Sequence, residues 1–174
     1  MVLGSERREA IKNLLSGSEV PVSGTVLAKQ FAVSRQVIVQ DIAILRAGGM
    51  EIIATAQGYF IPDTVKKSTT LKFTVACQHS IEKMEQELEI IVDLGGKILD
   101  VVVEHPIYGE LRGLLMLNSR RQVKQFVDST QNAGVEPLSS LTNGVHLHNI
   151  EVSDEETKQL VIRELARADI LLQE

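Results

Sequence analysis

Four histidines occur in the 174-residue chain, at positions 79, 105, 146 and 148. His146 and His148 sit in the run GVHLHNIEV, whose alternation reads as a β-strand. Side chains alternate across a strand, so both rings leave one face and their nitrogens can converge on a single metal ion. His79 closes another strand-like run, LKFTVACQ, and precedes a helical stretch carrying Glu82, Glu85, Glu87 and Glu89. A third imidazole and a carboxylate can therefore come from one strand-to-helix corner. Imidazole with one carboxylate suits zinc, nickel, iron or cobalt far better than magnesium or calcium. Taken alone, two histidines on a strand more often mark ordinary core or surface residues, and most glutamates of such a run face solvent.

His105 lies in EHPIYGEL, at a strand end before a turn made by Pro106 and Gly109. With Tyr108 and Arg112 it could line a small-molecule pocket, although a histidine beside a proline turn is more often structural or exposed. Cys77 is the chain's single cysteine, so neither an internal disulfide nor a CxxC pair exists, and a buried reduced thiol is the expected reading. Gly95-Gly96 lacks the lysine and glycine spacing of a phosphate loop and reads as a helix stop.

These residues need a scaffold, and from Leu71 onward the pattern reads strand, helix, two strands, helix, strand, helix. The expected helices are SIEKMEQELEIIVDLGG, SRRQVKQFVDSTQNAG capped by Ser119, and SDEETKQLVIRELARADIL with Ser153 and Glu156 in capping-box spacing. The first six elements match the ferredoxin-like split βαββαβ unit, in which the first and last strands need not be remote.

Ahead of this, residues 5–17 place Ile11, Leu14 and Leu15 at helical spacing, with Ser5 as a cap and Gly17 as a stop. A second helix follows Ser23, and a third follows Ser34 after the short break Ala32-Val33. Ile38, Ile42 and Leu45 form the third helix's core stripe, and Gly48-Gly49 ends it. EIIATAQGYFIP then alternates as a hairpin turning near Ala56-Gln57-Gly58. Three helices and a hairpin make a winged helix-turn-helix.

Arg matches the acceptors of guanine and Gln the paired donor and acceptor of adenine, and the front of such a helix enters the major groove. Ser34, Arg35, Gln36, Val39 and Gln40 are the expected contacts there, joined by Lys29 and by Gln57 and Tyr59 of the wing. Arg35, Gln36 and Gln40 are the expected base readers. Arg7, Arg8, Lys12 and Arg46 are further cations available to phosphates, though some must simply be solvated.

Charge divides the chain in the same place. Residues 1–67 hold eight Lys and Arg against six Asp and Glu, whereas residues 68–174 hold ten against seventeen. The segment PDTVKKSTT, at Pro62–Thr70, suits a hinge, which places a DNA-binding domain at 1–67 and an effector domain at 68–174. No apolar run approaches the ~20 residues of a membrane span. The charged residues Glu6 to Glu9 stand where a secretory signal would be apolar, so a cytoplasmic location is expected.

At QHSIEKMEQELE, EHPIYGEL and GVHLHNIEV, in that order and behind SRQVIVQDIAILRAGG and EIIATAQGYFI, the chain resembles the NiaR-type (YrxA-type) niacin-responsive repressors. These join a winged helix to a three-histidine (3H) domain. The resemblance covers essentially the whole chain. It implies a homodimeric repressor of NAD-biosynthesis or niacin-uptake genes, with nicotinic acid as corepressor on operator DNA. It also implies a transition metal, nickel or zinc, on His79, His146, His148 and a glutamate matching Glu87, with Glu82 and Glu85 as the alternative positions. The rival readings are a regulator that senses another small ligand or the metal itself, and a metal-dependent enzyme.

Overall fold

The computed structural model describes residues 4–62 and 70–172, and the chain divides into two compact units, Met1–Lys67 and Ser68–Glu174. Residues 63–69 of the expected hinge, and the domain boundary placed within it, lie outside the described residues.

The first unit contains α1 (Gly4–Ser16), α2 (Gly24–Gln30), α3 (Arg35–Ala47), β1 (Ile53–Thr55) and β2 (Gly58–Phe60). The Ser23 hydroxyl accepts from the Val26 amide and that of Ser34 from the Val37 amide, so both interior helices start where a cap satisfies an orphan N–H. α1 begins at Gly4, which puts Ser5 inside the helix rather than at its cap. Ile11, Leu15, Leu27 and Ile38 have no exposed surface and pack with Ile42 and Ile52. Thr55 faces Gly58 across the hairpin, leaving Ala56 and Gln57 as its turn. Val22 pairs with Tyr59, and a Cβ on Gly58 would fall 2.3 Å from the Val22 carbonyl oxygen. Only glycine fits that approach.

In the second unit β3 (Leu71–Gln78) leads through a 3-10 turn into α4 (Met84–Asp93). Then follow β4 (Lys97–His105), β5 (Gly109–Leu117), α5 (Arg120–Ala133), β6 (Val145–Val152) and α6 (Glu155–Arg167). A second 3-10 turn at Leu138–Thr142, not anticipated from the sequence, precedes β6. Ser119 caps α5 as expected, but α6 is capped by Asp154, whose carboxylate accepts from the Thr157 amide at 2.8 Å. Ser153 is displaced from that role and donates to Asp154 instead.

The four strands run in the order β3-β6-β4-β5, each antiparallel to its neighbours. The α+β class and the βαββαβα element order are therefore found, with two interlocked split βαβ units. Along the sheet, however, the first and third strands form the edges, where a ferredoxin-like sheet of the usual order has the second and fourth. The consequence is that β6, the strand with two histidines, lies inside the sheet between β3 and β4. Leu88 and Ile91 of α4, Val123 and Val127 of α5, and Val161 and Leu165 of α6 pack in one cluster with Val75, Ile98 and Ile150 of the sheet. Burying each such side chain stabilises by ~1.5–3 kcal/mol, which fixes the helices against the strands that carry the histidines. Among the described residues no helix is long and apolar enough to cross a membrane.

Candidate functional site

His146 stands opposite Cys77 and His148 opposite Val75 in the β3–β6 ladder, and both rings point into the layer beneath the helices. Each residue is 3% exposed. Glu87 reaches them from α4, where it occupies a core-facing position beside Leu88 and is 1% exposed. Its carboxylate lies 2.7 Å from Nε2 of His79, 3.2 Å from Nε2 of His146 and 3.5 Å from Nε2 of His148. Three imidazoles thus converge on one buried carboxylate. Glu82 and Glu85 remain exposed and line a separate groove of about 240 Å³ with Ile81, Val127 and Val135.

The far side of each ring is fixed as well. Nδ1 of His79 bonds the Ser80 carbonyl at 2.9 Å, that of His146 the Gly144 carbonyl at 2.8 Å, and that of His148 the Asp100 carbonyl at 2.6 Å. A carbonyl only accepts, so all three Nδ1 atoms carry the proton and all three Nε2 atoms face the carboxylate. If every Nε2 were also protonated, three cations would surround one anion in the interior. If none were, lone pairs would face lone pairs. A divalent cation among the four side chains would resolve both problems, and the backbone carbonyls stand where outer partners that orient metal-binding histidines would stand.

Among the side chains themselves, the rings and the carboxylate favour one another's charged forms. Burial alone would lower the pKa of His148, but the charge and hydrogen bond of Glu87, with help from Asp100, outweigh it and the net shift is upward. His79 behaves alike, with burial opposed and outweighed by Glu87. Burial acts to raise Glu87, and the His148, His146 and His79 rings together hold it well below the usual carboxylate range. The Cys77 thiol is pushed far up by burial and by the neighbouring Glu87 charge.

The entry to β6 depends on Gly144, which has a φ of +85° and where a Cβ would sit 2.2 Å from the His79 carbonyl oxygen. Gly95 has a similar φ of +87° with nothing within 4 Å. Gly144→Ala should therefore lower stability to urea by clearly more than Gly95→Ala, whose cost is the left-handed strain of ~1–2 kcal/mol alone. Equal urea midpoints for the two variants would show that β6 does not need the close approach.

His105, Tyr108 and Arg112 do not join this cluster. Nδ1 of His105 accepts from the amides of Ile107 and Tyr108, so the ring caps the β4–β5 turn, and the Tyr108 ring stacks 5.0 Å away with 73% of the residue exposed. Arg112 binds Asp100 at 3.3 Å and Glu110 at 3.1 Å. Asp100 in turn accepts from Asn149, which alternates with His148 and so lies on the opposite face of the sheet. Sequence reasoning missed Asp100, whose peptide oxygen holds His148 while its side chain holds Arg112. It also set aside Cys77, although Cys77-x-His79 has the same one-residue spacing as the HxH pair.

In the first unit Ser34, Arg35, Gln36, Val39 and Gln40 are all exposed along the front of α3, and Lys29 is exposed on α2. Arg35 Nε lies 3.6 Å, and the Tyr59 ring 3.4 Å, from where a Gly24 Cβ would be, so helix and wing meet at the start of α2. Tyr59 packs against the core, and Gln57 is partly buried in the hairpin turn. Arg7 and Arg8 both bind the buried Asp41, at 2.6 and 3.3 Å, and Arg46 donates to the Ile52 carbonyl. These three arginines brace the unit, whereas Lys12 pairs with Glu9 on the surface.

The two units match two family models: residues 7–60 an HTH domain and residues 72–174 a 3H domain. A protein of Thermotoga maritima named "Probable transcription repressor NiaR" is 46% identical over 169 residues, which cover 97% of this chain and 95% of that protein. The chain belongs to the NiaR/NadR family of transcription repressors. "Transcription repressor NadR" of Bacillus subtilis is 38% identical over 174 residues, covering 99% and 97% of the two chains. The repressor is accordingly a DNA-binding regulator and not an enzyme.

Proposed function

We propose that the chain represses genes of NAD biosynthesis or niacin uptake as a homodimer, with nicotinic acid as the corepressor. In this reading, His79, Glu87, His146 and His148 hold a nickel or zinc ion in the 3H domain. Arg35, Gln36 and Gln40 read operator bases, and Lys29 contacts the phosphates. The observation that carries the metal reading is the locking of three Nδ1 atoms by backbone carbonyls while three Nε2 atoms converge on Glu87. The niacin reading is supported by the name of the Thermotoga relative and by the motifs that carry the resemblance. A dimer fits the way helix-turn-helix proteins bind paired half-sites. When bound, the metal supplies a positive charge suited to a carboxylate ligand. Coupling then needs only that nicotinic acid binds the DNA-competent arrangement more tightly, and ~1–3 kcal/mol is the usual scale.

The test is operator binding by fluorescence anisotropy at fixed salt, with and without nicotinic acid, on metal-loaded and chelator-treated protein, with nicotinamide as control. The expected result is tightening by nicotinic acid of roughly 5- to 150-fold that is lost on chelation. A response to metal alone would make the protein a metal sensor. No response to nicotinic acid in either state would overturn the niacin reading.

A further inference from the structure

We infer that Cys77 is a fifth donor of the histidine and glutamate cluster, so that the site takes a transition metal through a thiolate as well as through imidazole and carboxylate. This rests on the metal reading proposed above and extends its ligand set. Sγ of Cys77, a carboxylate oxygen of Glu87 and a ring nitrogen of His146 all lie within 4.8 Å of one another. A metal bonded at ~2.3 Å to sulfur and ~2.1 Å to nitrogen separates those atoms by about 3.1–3.8 Å at bond angles of roughly 90–120°, so closure on the order of 1 Å brings the thiol into the ligand set.

The fold explains why the thiol is there. Cys77 pairs with His146 across the β3–β6 ladder, which sets the two side chains on the same face, and strand alternation carries His79 to that face two residues later. Cys77 has no exposed surface, so the sulfur faces the cluster from inside the core and is shielded from solvent. Coordination breaks the S–H bond: the proton leaves to buffer, the sulfur lone pair goes to the metal, and no electron is transferred. A thiolate shifts the site's preference further from magnesium and calcium and toward zinc, nickel and cobalt.

The full-length protein loaded anaerobically with Co(II) tests this. A near-ultraviolet sulfur-to-cobalt charge-transfer band is expected beside the visible d–d bands, and the X-ray absorption fine structure of the zinc-loaded protein should show one sulfur at ~2.3 Å. Because the chain has one cysteine, both signals can be assigned to Cys77 in the unaltered protein. Cys77→Ala should abolish the band, keep d–d bands, and weaken metal binding on the order of tenfold or more. Visible d–d bands at one cobalt per chain without the charge-transfer band or the sulfur shell would leave the four-residue site standing and overturn the role of Cys77. No cobalt or zinc binding at all would overturn the metal reading itself.

Discussion

Protein carrying His146→Ala together with His148→Ala should bind a divalent transition metal at least ~1000-fold more weakly and lose its response to nicotinic acid, while binding operator DNA as the effector-free protein does. The size follows from sharing ~10–16 kcal/mol of metal affinity among the ligands, of which this variant removes two. The buried carboxylate is the hazard. Glu87 is held in its charged form by the three rings, and without two of them the burial that opposes ionisation becomes the dominant influence. It then takes up a proton and remains as a neutral acid beside His79, which is how the domain can keep its fold where a stranded charge would cost ~3–5 kcal/mol. Should the double variant not fold, His146→Gln alone keeps the volume and a hydrogen-bonding group while removing one imidazole donor, and it should still lower metal content on dialysis. Metal content is read by native mass spectrometry and the niacin response by anisotropy. Survival of both in the variant would remove these histidines from the site.

Much of this site is legible in the chain before it is folded, and the reasons are local. Alternation places His146 and His148 on one face because a strand has a period of two, whatever it packs against. The choice among Glu82, Glu85 and Glu87 is left open by the residues and is pointed to Glu87 only by the resemblance. In the fold Glu87, three residues after Met84 and four before Ile91, lies on the core-facing stripe of α4, while Glu82 and Glu85 are exposed. What the sequence does not carry is the long-range pairing. That β6 inserts between β3 and β4 depends on the packing of three helices, and it alone brings residues 79 and 146 together. The use of Arg7 and Arg8 to pair with Asp41, more than thirty positions away, is equally invisible, because an arginine destined for a buried aspartate looks like one destined for phosphate. His105 shows the same ambiguity within four residues, where a ring beside a proline turn suits either a pocket wall or a structural role, and in the fold its Nδ1 caps the turn. Adjacent cap formers are the remaining case: Ser153 and Asp154 both suit the position, and the helix begins at Glu155, where the Asp154 carboxylate accepts from the Thr157 amide.

On the DNA side, Arg35→Ala should weaken binding to the operator by about 1–3 kcal/mol, roughly 5- to 150-fold, while leaving binding to a scrambled duplex much less affected. Arg35 is the first residue of α3, exposed directly after the Ser34 cap, and a helix-turn-helix protein presents this end of the helix to the base edges. Lys29→Ala should behave differently, because a phosphate contact carries no sequence information. It should weaken operator and scrambled duplex alike and reduce the slope of log affinity against log salt by ~1. Arg7→Ala supplies the third pattern, since its partner is Asp41 rather than DNA: thermal stability of the first unit falls, with no selective loss on the operator. The three variants titrated on both duplexes across a salt series separate base reading, phosphate contact and internal bracing. If Arg35→Ala lowered both affinities equally and changed the salt slope as Lys29→Ala does, Arg35 would be a phosphate contact, and discrimination would rest on Gln36 and Gln40.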